Sequence, residues 1–383
     1  MKISYVFDRP LPARETDSEQ AMQTIAAFAR QGAEVTLVLP EQAEATSARE
    51  LGAHYQVSGD FDVVRTPTPV ARFAVARKWW HAHAALRLPV VRAADVVYTR
   101  NFPTLLSLGR RDQPFAYETY RAWPDQFRVL RPLFKQAMAA PSFLGAVLHS
   151  RLTRDRYHAL GVAGERLLVA HNGHDPARFL ERLPRAELRD KLNLPRDRPI
   201  VVYTGHINLT KGLDTVLGMA RRLPRASFVL VGSEGRGIVE ALASRHDNVS
   251  VVAWQPFAVV AQYLMAADVL LQPPSRVPLR LVGNTVLPMK LFLYLAAGRP
   301  IVAPDLPDMR EVLEHDHNAL LVPPENDRAA VQAVIRILDE PGLGERLAAA
   351  ARATSEGLTW DARAQRILAF LEQRRALHQA RAR

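Results

Sequence analysis

Asn284-Thr-Val-Leu-Pro-Met-Lys-Leu-Phe-Leu-Tyr-Leu-Ala-Ala-Gly-Arg-Pro-Ile-Val-Ala303 reads as a helix followed at once by a buried strand. Pro288 suits the first helical turn, where its missing N–H leaves no bond unmade. The peptide N–H groups just before it, those of Thr285, Val286 and Leu287, then point at whatever lies over that helix end. Gly298 and Pro300 stop the helix before the apolar run Pro300–Val302. Lys290 falls in the first turn, an unfavourable place for a cation unless an anion is near. That position points to a bound phosphate. The plainer alternative is a lysine reaching out to water.

Outward from this stretch the same beat repeats. Short Val/Ile/Leu runs occur at 1–7, 33–39, 62–64, 96–98, 115–117, 145–148 and 167–169. They resume at 200–203, 227–231, 250–252, 269–271, 300–302 and 320–322 after a polar, proline-punctuated stretch from Pro176 to Pro199. Helical segments separate them. Continuous apolar runs, not alternation, mark parallel strands buried on both faces. The expected fold is α/β, with two doubly wound domains at 1–175 and 176–358. A final helix and basic tail would occupy 359–383. Ligands of such sheets bind at the carboxyl ends of the strands, here across a cleft between two domains.

The 383 residues are 48% apolar and 23% charged, which is ordinary for a globular chain. No uncharged apolar run reaches the roughly 18 residues of a membrane span. The opening MKISYVFDRP meets Asp8 too soon for a signal peptide. Cysteine is absent, which excludes disulfides, Cys–zinc sites and a Cys nucleophile and fits a cytoplasmic setting. The formal charge is +11, and Arg65–Lys135 alone holds 13 basic and 4 acidic residues. Glu372–Arg383 adds four Arg against one Glu. Such clustering suits an anionic partner such as phosphate or a membrane surface; solvated helix faces are the alternative. No nucleic-acid motif accompanies the charge, so nucleic acid is not expected as a partner.

Val201-Val-Tyr-Thr-Gly-His-Ile-Asn-Leu-Thr-Lys-Gly-Leu-Asp214 is a second strand, glycine turn and helix start. Gly205 lets backbone pass close to a ligand. Lys211 stands at the mouth of the next helix, where free N–H groups favour phosphate. A plain turn with a solvated lysine would look the same.

Taken in order, five segments resemble one family. They are Tyr203-Thr-Gly-His with Lys211-Gly212, Leu230-Val-Gly232, Pro288 through Val302, Leu306-Pro-Asp-Met-Arg-Glu-Val-Leu, and Asn318-Ala-Leu-Leu-Val-Pro-Pro. Asn172-Gly-His-Asp175 looks like that family's end-of-first-domain turn, and Trp360-Asp-Ala-Arg-Ala resembles its last helix. The family is the retaining family-four glycosyltransferases of GT-B fold, whose C-terminal helix crosses back to the first domain. The resemblance implies sugar transfer, of the hexosyltransferase type, from a nucleotide diphosphate sugar to an acceptor with retained anomeric configuration. With the basic window of the first domain, the acceptor class favoured is a glycan or a lipid-linked, anionic molecule of cell-envelope polysaccharide or glycoconjugate synthesis. Donor-binding residues by this likeness are Gly205, His206, Lys211, Thr285, Val286, Leu287, Lys290 and Leu293. Catalytic candidates are Lys211, Lys290, Tyr120 and Glu118, the last as a polar contact near the acceptor. His206 stands where many members have a diphosphate-binding Arg.

The sequence departs from that pattern at informative places. Leu293 replaces the family Glu that accepts from the ribose, and its companion acid falls on Thr285. Tyr120 replaces a His near the reacting sugar, and Ala13-Arg-Glu-Thr-Asp-Ser18 replaces a Gly-Gly loop. Two lysines and two helix N-termini of roughly half a charge each would balance a departing diphosphate, so no metal or other cofactor is expected. Asp60-Phe-Asp62 precedes its strand and reads as a strand entry, not a metal site. Two other readings stand beside transfer: a catalytically silent binding protein of the same fold, and a sugar-nucleotide epimerase.

In the first domain, Ala71–Arg87 should be a basic helix ended by Pro89. Adjacent Trp79 and Trp80 lie about 100° apart on it, so both cannot enter one core face. Trp79, with Arg100 and Asn101 at a strand end, is expected on the acceptor side. The basic window also suits peripheral attachment at the inner face of the plasma membrane.

Overall fold

The computed structural model describes residues 1–42, 45–67, 74–180, 183–277 and 287–382. Two units result: Met1–Asn172 with Trp360–Arg383, and Gly173–Thr359. The first boundary falls a little before residue 175. His174 already belongs to the second unit, since its N–H donates to Leu358 O at 3.0 Å and it bridges Thr359.

The first unit holds β1 (Lys2–Val6), β2 (Glu34–Pro40), β3 (Phe61–Thr66), β4 (Val96–Thr99), β5 (Phe115–Thr119), β6 (Phe143–Leu148) and β7 (Leu167–Val169). They pair in parallel in the order β3-β2-β1-β4-β5-β6-β7. The second unit holds β8 (Ile200–Thr204), β9 (Ser227–Ser233), β10 (Val249–Ala253), β11 (Val269–Leu271), β12 (Ile301–Pro304) and β13 (Leu320–Val322). Their order is β10-β9-β8-β11-β12-β13, again parallel. Every strand run read from the sequence appears, because helices cover both faces and each strand must be apolar throughout. Strand order reverses between β1 and β4 and between β8 and β11. Those are the points where a doubly wound sheet opens a crevice for ligand.

The helix Trp360–Ala382 completes the first unit. Trp360, Ile367 and Leu371 are buried. Gly145 in β6 admits this helix, since a Cβ there would lie 2.4 Å from the Phe370 ring. The helix also carries Arg363 into a buried polar cluster. Arg363 donates to Glu118 Oε1 at 2.5 Å, to Thr24 Oγ1 at 3.2 Å and to Ala170 O at 3.4 Å. Gln20 Nε2 and His149 Nε2 meet the same carboxylate oxygen at 2.6 and 2.7 Å, and Tyr5 OH donates to Oε2 at 3.4 Å. Burial alone would raise the Glu118 carboxyl. The Arg363 charge, the His149 hydrogen bond and the Arg100 charge hold it well below the usual range instead. Burial lowers His149 to about 4, against the pull of Glu118, so it is neutral at pH 7 and donates as imidazole.

The basic helix of the first unit is described over Ala74–Ala85; residues 71–73 lie outside the described residues. Trp80 is 53% exposed and donates from Nε1 to Pro67 O at 3.1 Å. Trp79 is half-buried against the His83 ring.

Candidate functional site

The crevice of the second unit opens beside Gly205, just past β8. Tyr294 OH accepts from the Thr204 N–H at 3.0 Å and fixes the strand end. Gly205 has φ 128°, and a Cβ there would lie 2.7 Å from Lys290 Nζ. The positive φ favours glycine in this turn, and a side chain there would push aside the ammonium that leans on it. Gly212 meets the loop after β11 in the same way: its φ is 75°, and a Cβ would lie 2.3 Å from Ser275 Cβ.

Lys211 ends the short turn Leu209–Lys211 ahead of the helix Leu213–Arg222, and Lys290 begins the helix Lys290–Ala297. Neither helix start has a side-chain cap. Lys290 Nζ sits 3.8 Å from the Tyr203 ring centroid, and Tyr203 OH donates to His206 O at 3.1 Å. Burial and then the charge of Lys211 push the Lys290 ammonium well below its ordinary range; burial also lowers Lys211. Among the described residues neither lysine has an acidic partner. Two desolvated cations near each other at two helix starts are costly to bury without a counter-charge.

The remaining donor-side expectations divide. His206 faces Glu234, Nδ1 to Oε1 3.6 Å. Leu287 is buried in the apolar cluster and Leu293 packs against it. Their side chains belong to the core, and Leu287 has only backbone to offer a ligand. Thr285 and Val286 lie outside the described residues.

In the first unit the structure corrects two expectations. Glu118 has no exposed surface, and the Arg363 cluster occupies its oxygens. It is a buried counter-ion, not a contact for an acceptor. Asn101 is also buried, and its Nδ2 donates to Val6 O at 3.2 Å instead of facing an acceptor. Arg100 donates to Asp17 O at 3.1 Å and to Gln20 Oε1. Tyr120 is half-buried, with the Arg100 and Arg121 guanidinium carbons 5.7 and 5.2 Å from its ring centroid. Among the described residues no three His, Asp or Glu side chains gather as metal ligands.

Asp308 escaped the sequence reading. It follows β12, is fully buried, and both carboxyl oxygens lack a hydrogen-bond partner of ordinary geometry. Burial raises it to about 7, and the amides of Met309 and Asp308 offset only part of that. The folded state therefore keeps a proton that the unfolded chain releases. Stability from this group is complete below the usual carboxylate range and is lost as pH rises through about 7. Asp308→Asn should match the parent in urea melts at pH 4 and exceed it by about 1–3 kcal/mol at pH 8. Equal stability at both pH values would disprove the protonated state.

Residues 198–340 match the family model described as glycosyl transferases group 1. The D-inositol 3-phosphate glycosyltransferase of Xylanimonas cellulosilytica is 30% identical over 241 residues, 59% of this chain and 56% of that protein. The chain thus spans about half the length of the curated relatives it matches. Among solved structures, sucrose-phosphate synthase from Thermosynechococcus elongatus superimposes with a TM-score of 0.77 at 18% identity, covering 97% of this chain and 98% of that one. Anabaena HepE in complex with UDP-glucose gives 0.72 at 18%, covering 97% and 100%. These likenesses establish the fold as GT-B.

Proposed function

We propose, from the premise that residues 198–340 make this chain a member of the group 1 glycosyl transferases, that it moves a sugar from a nucleotide diphosphate sugar to an acceptor. One observation carries the reading: Lys211 and Lys290 converge, desolvated and without an acidic partner among the described residues, at the β8/β11 switch point. A diphosphate supplies the missing charge. As the glycosidic bond breaks, negative charge grows on the departing phosphate, and preformed cations and helix N–H groups stabilise it without reorganising. That arrangement supports a metal-independent step. It also supports retention, in which the leaving phosphate oxygen takes the acceptor proton and no protein base is required.

HepE was solved with UDP-glucose, and the Xylanimonas relative is named for an inositol phosphate; both favour a sugar nucleotide as donor and an anionic acceptor. The acceptor reading is a glycan or lipid-linked molecule of the cell envelope, met at the cytoplasmic membrane face. Trp80 and the basic helix around it support peripheral attachment. No helix among the described residues is long and apolar enough to cross a membrane.

The test is a thermal-shift screen of UDP-, GDP-, ADP- and dTDP-sugars, followed by product analysis with the donor that stabilises. One nucleotide should raise the melting temperature, and turnover should persist in chelator. A metal requirement would overturn the charge-balance argument. Interconversion of donor alone would mark an epimerase, and binding without turnover a silent protein.

A further inference from the structure

We propose that Arg121, set over the rings of Tyr120 and Trp123 just past β5, binds a phosphate group carried by the acceptor, a reading that rests on the transferase function above. Its guanidinium carbon lies 5.2 Å from the Tyr120 centroid and 5.0 Å from that of Trp123. Two rings lie within cation–π range of the guanidinium, and its planar N–H fork is the group that meets two oxygens of one anion.

The backbone beneath it is pinned. Arg121 N–H donates to Thr119 Oγ1 at 3.0 Å, and its carbonyl accepts from Thr119 Oγ1 and Tyr157 OH, each at 3.2 Å. Such a site costs little ordering when a ligand arrives. The side chain itself is unsatisfied: its Nε is buried with no hydrogen-bond partner. The two carboxylates nearest in sequence are already engaged. Glu118 is bound by Arg363 and His149, and Asp125 lies 2.6 Å from Arg131 and 3.7 Å from Arg156. Burying the Nε donor of a cation with no partner is costly unless an anion completes it.

Position and charge agree. Arg121 stands two residues beyond the carboxyl end of β5, where doubly wound sheets take their ligands. Arg100 lies over the same Tyr120 ring and adds to the positive potential there. Both lie in the window of 13 basic against 4 acidic residues.

Tryptophan fluorescence of the full chain reads the site, because Trp123 covers it. Glucose 6-phosphate and vesicles of phosphatidylglycerol are the two phosphate sources; glucose and phosphatidylcholine vesicles are the neutral controls. A saturable response to at least one phosphate source and to neither control is expected. It should weaken about tenfold or more in Arg121→Gln, less in Arg121→Lys, and lose its signal in Trp123→Phe. No response to either source, or an unchanged response in Arg121→Gln, would overturn the proposal. Nucleotide-induced thermal shifts in the same variants report the second unit separately. Their absence from the parent would count against the donor reading and leave the Arg121 result standing.

Discussion

Arg363→Ala is expected to destabilise the first unit by about 3–5 kcal/mol, the cost of leaving a buried charge without its partner. Glu118 and Arg363 have essentially no exposed side-chain surface, so water cannot replace the lost guanidinium. Neutral His149 and Gln20 still donate to the carboxylate, but neither brings charge. The pH dependence separates this from simple loss of packing. In the parent, Glu118 sits well below its usual range, so its contribution is present at neutral pH and lost as pH falls through that depressed value. In the variant Glu118 should protonate readily, and the deficit should shrink between pH 7 and pH 4. A pair change, Glu118→Gln with Arg363→Met, should recover much of the loss. Urea melts in which Arg363→Ala lost under 1 kcal/mol, or lost equally at both pH values, would contradict the counter-ion role.

The second large effect concerns Lys290. Lys290→Met should raise the melting temperature of the ligand-free protein while lowering turnover about 10²–10³-fold, as removal of one preorganised charge contact does elsewhere. The stabilisation arises because the substitution removes a desolvated ammonium facing a like charge. Lys211→Ala should weaken diphosphate binding more than tenfold with a smaller gain in stability, since only burial lowers it. Diphosphate binding should draw a proton onto Lys290, so affinity for UDP or GDP should fall as pH rises. Calorimetry in buffers of different ionisation heat measures that uptake directly. Release of protons, or wild-type turnover in Lys290→Met, would remove the ammonium from the diphosphate site.

What the sequence reveals follows how far apart the cooperating residues lie. A parallel strand such as Phe143–Leu148 is buried on both faces, and its composition alone says so. Lys290 is legible because a cation in a first helical turn is locally wrong. Its approach to Gly205 and Tyr203 is not, since that depends on how a crossover helix settles on its sheet. Glu118 misled for the same reason: its counter-ion is 245 residues away. Leu293 reads as a missing ribose contact, yet its side chain packs against the apolar cluster. Arg121 had a local signal, an arginine between aromatic residues just after a strand, in Tyr120-Arg-Ala-Trp123.

The helix that carries Arg363 has a consequence for biosynthesis. A ribosome that has released the first 172 residues has made seven strands of one sheet but not Arg363, the guanidinium bonded to the carboxylate at its centre. The whole of Gly173–Thr359 is translated first. The nascent first unit therefore waits for its strongest contact to Glu118, and the later unit can close before the earlier one is finished.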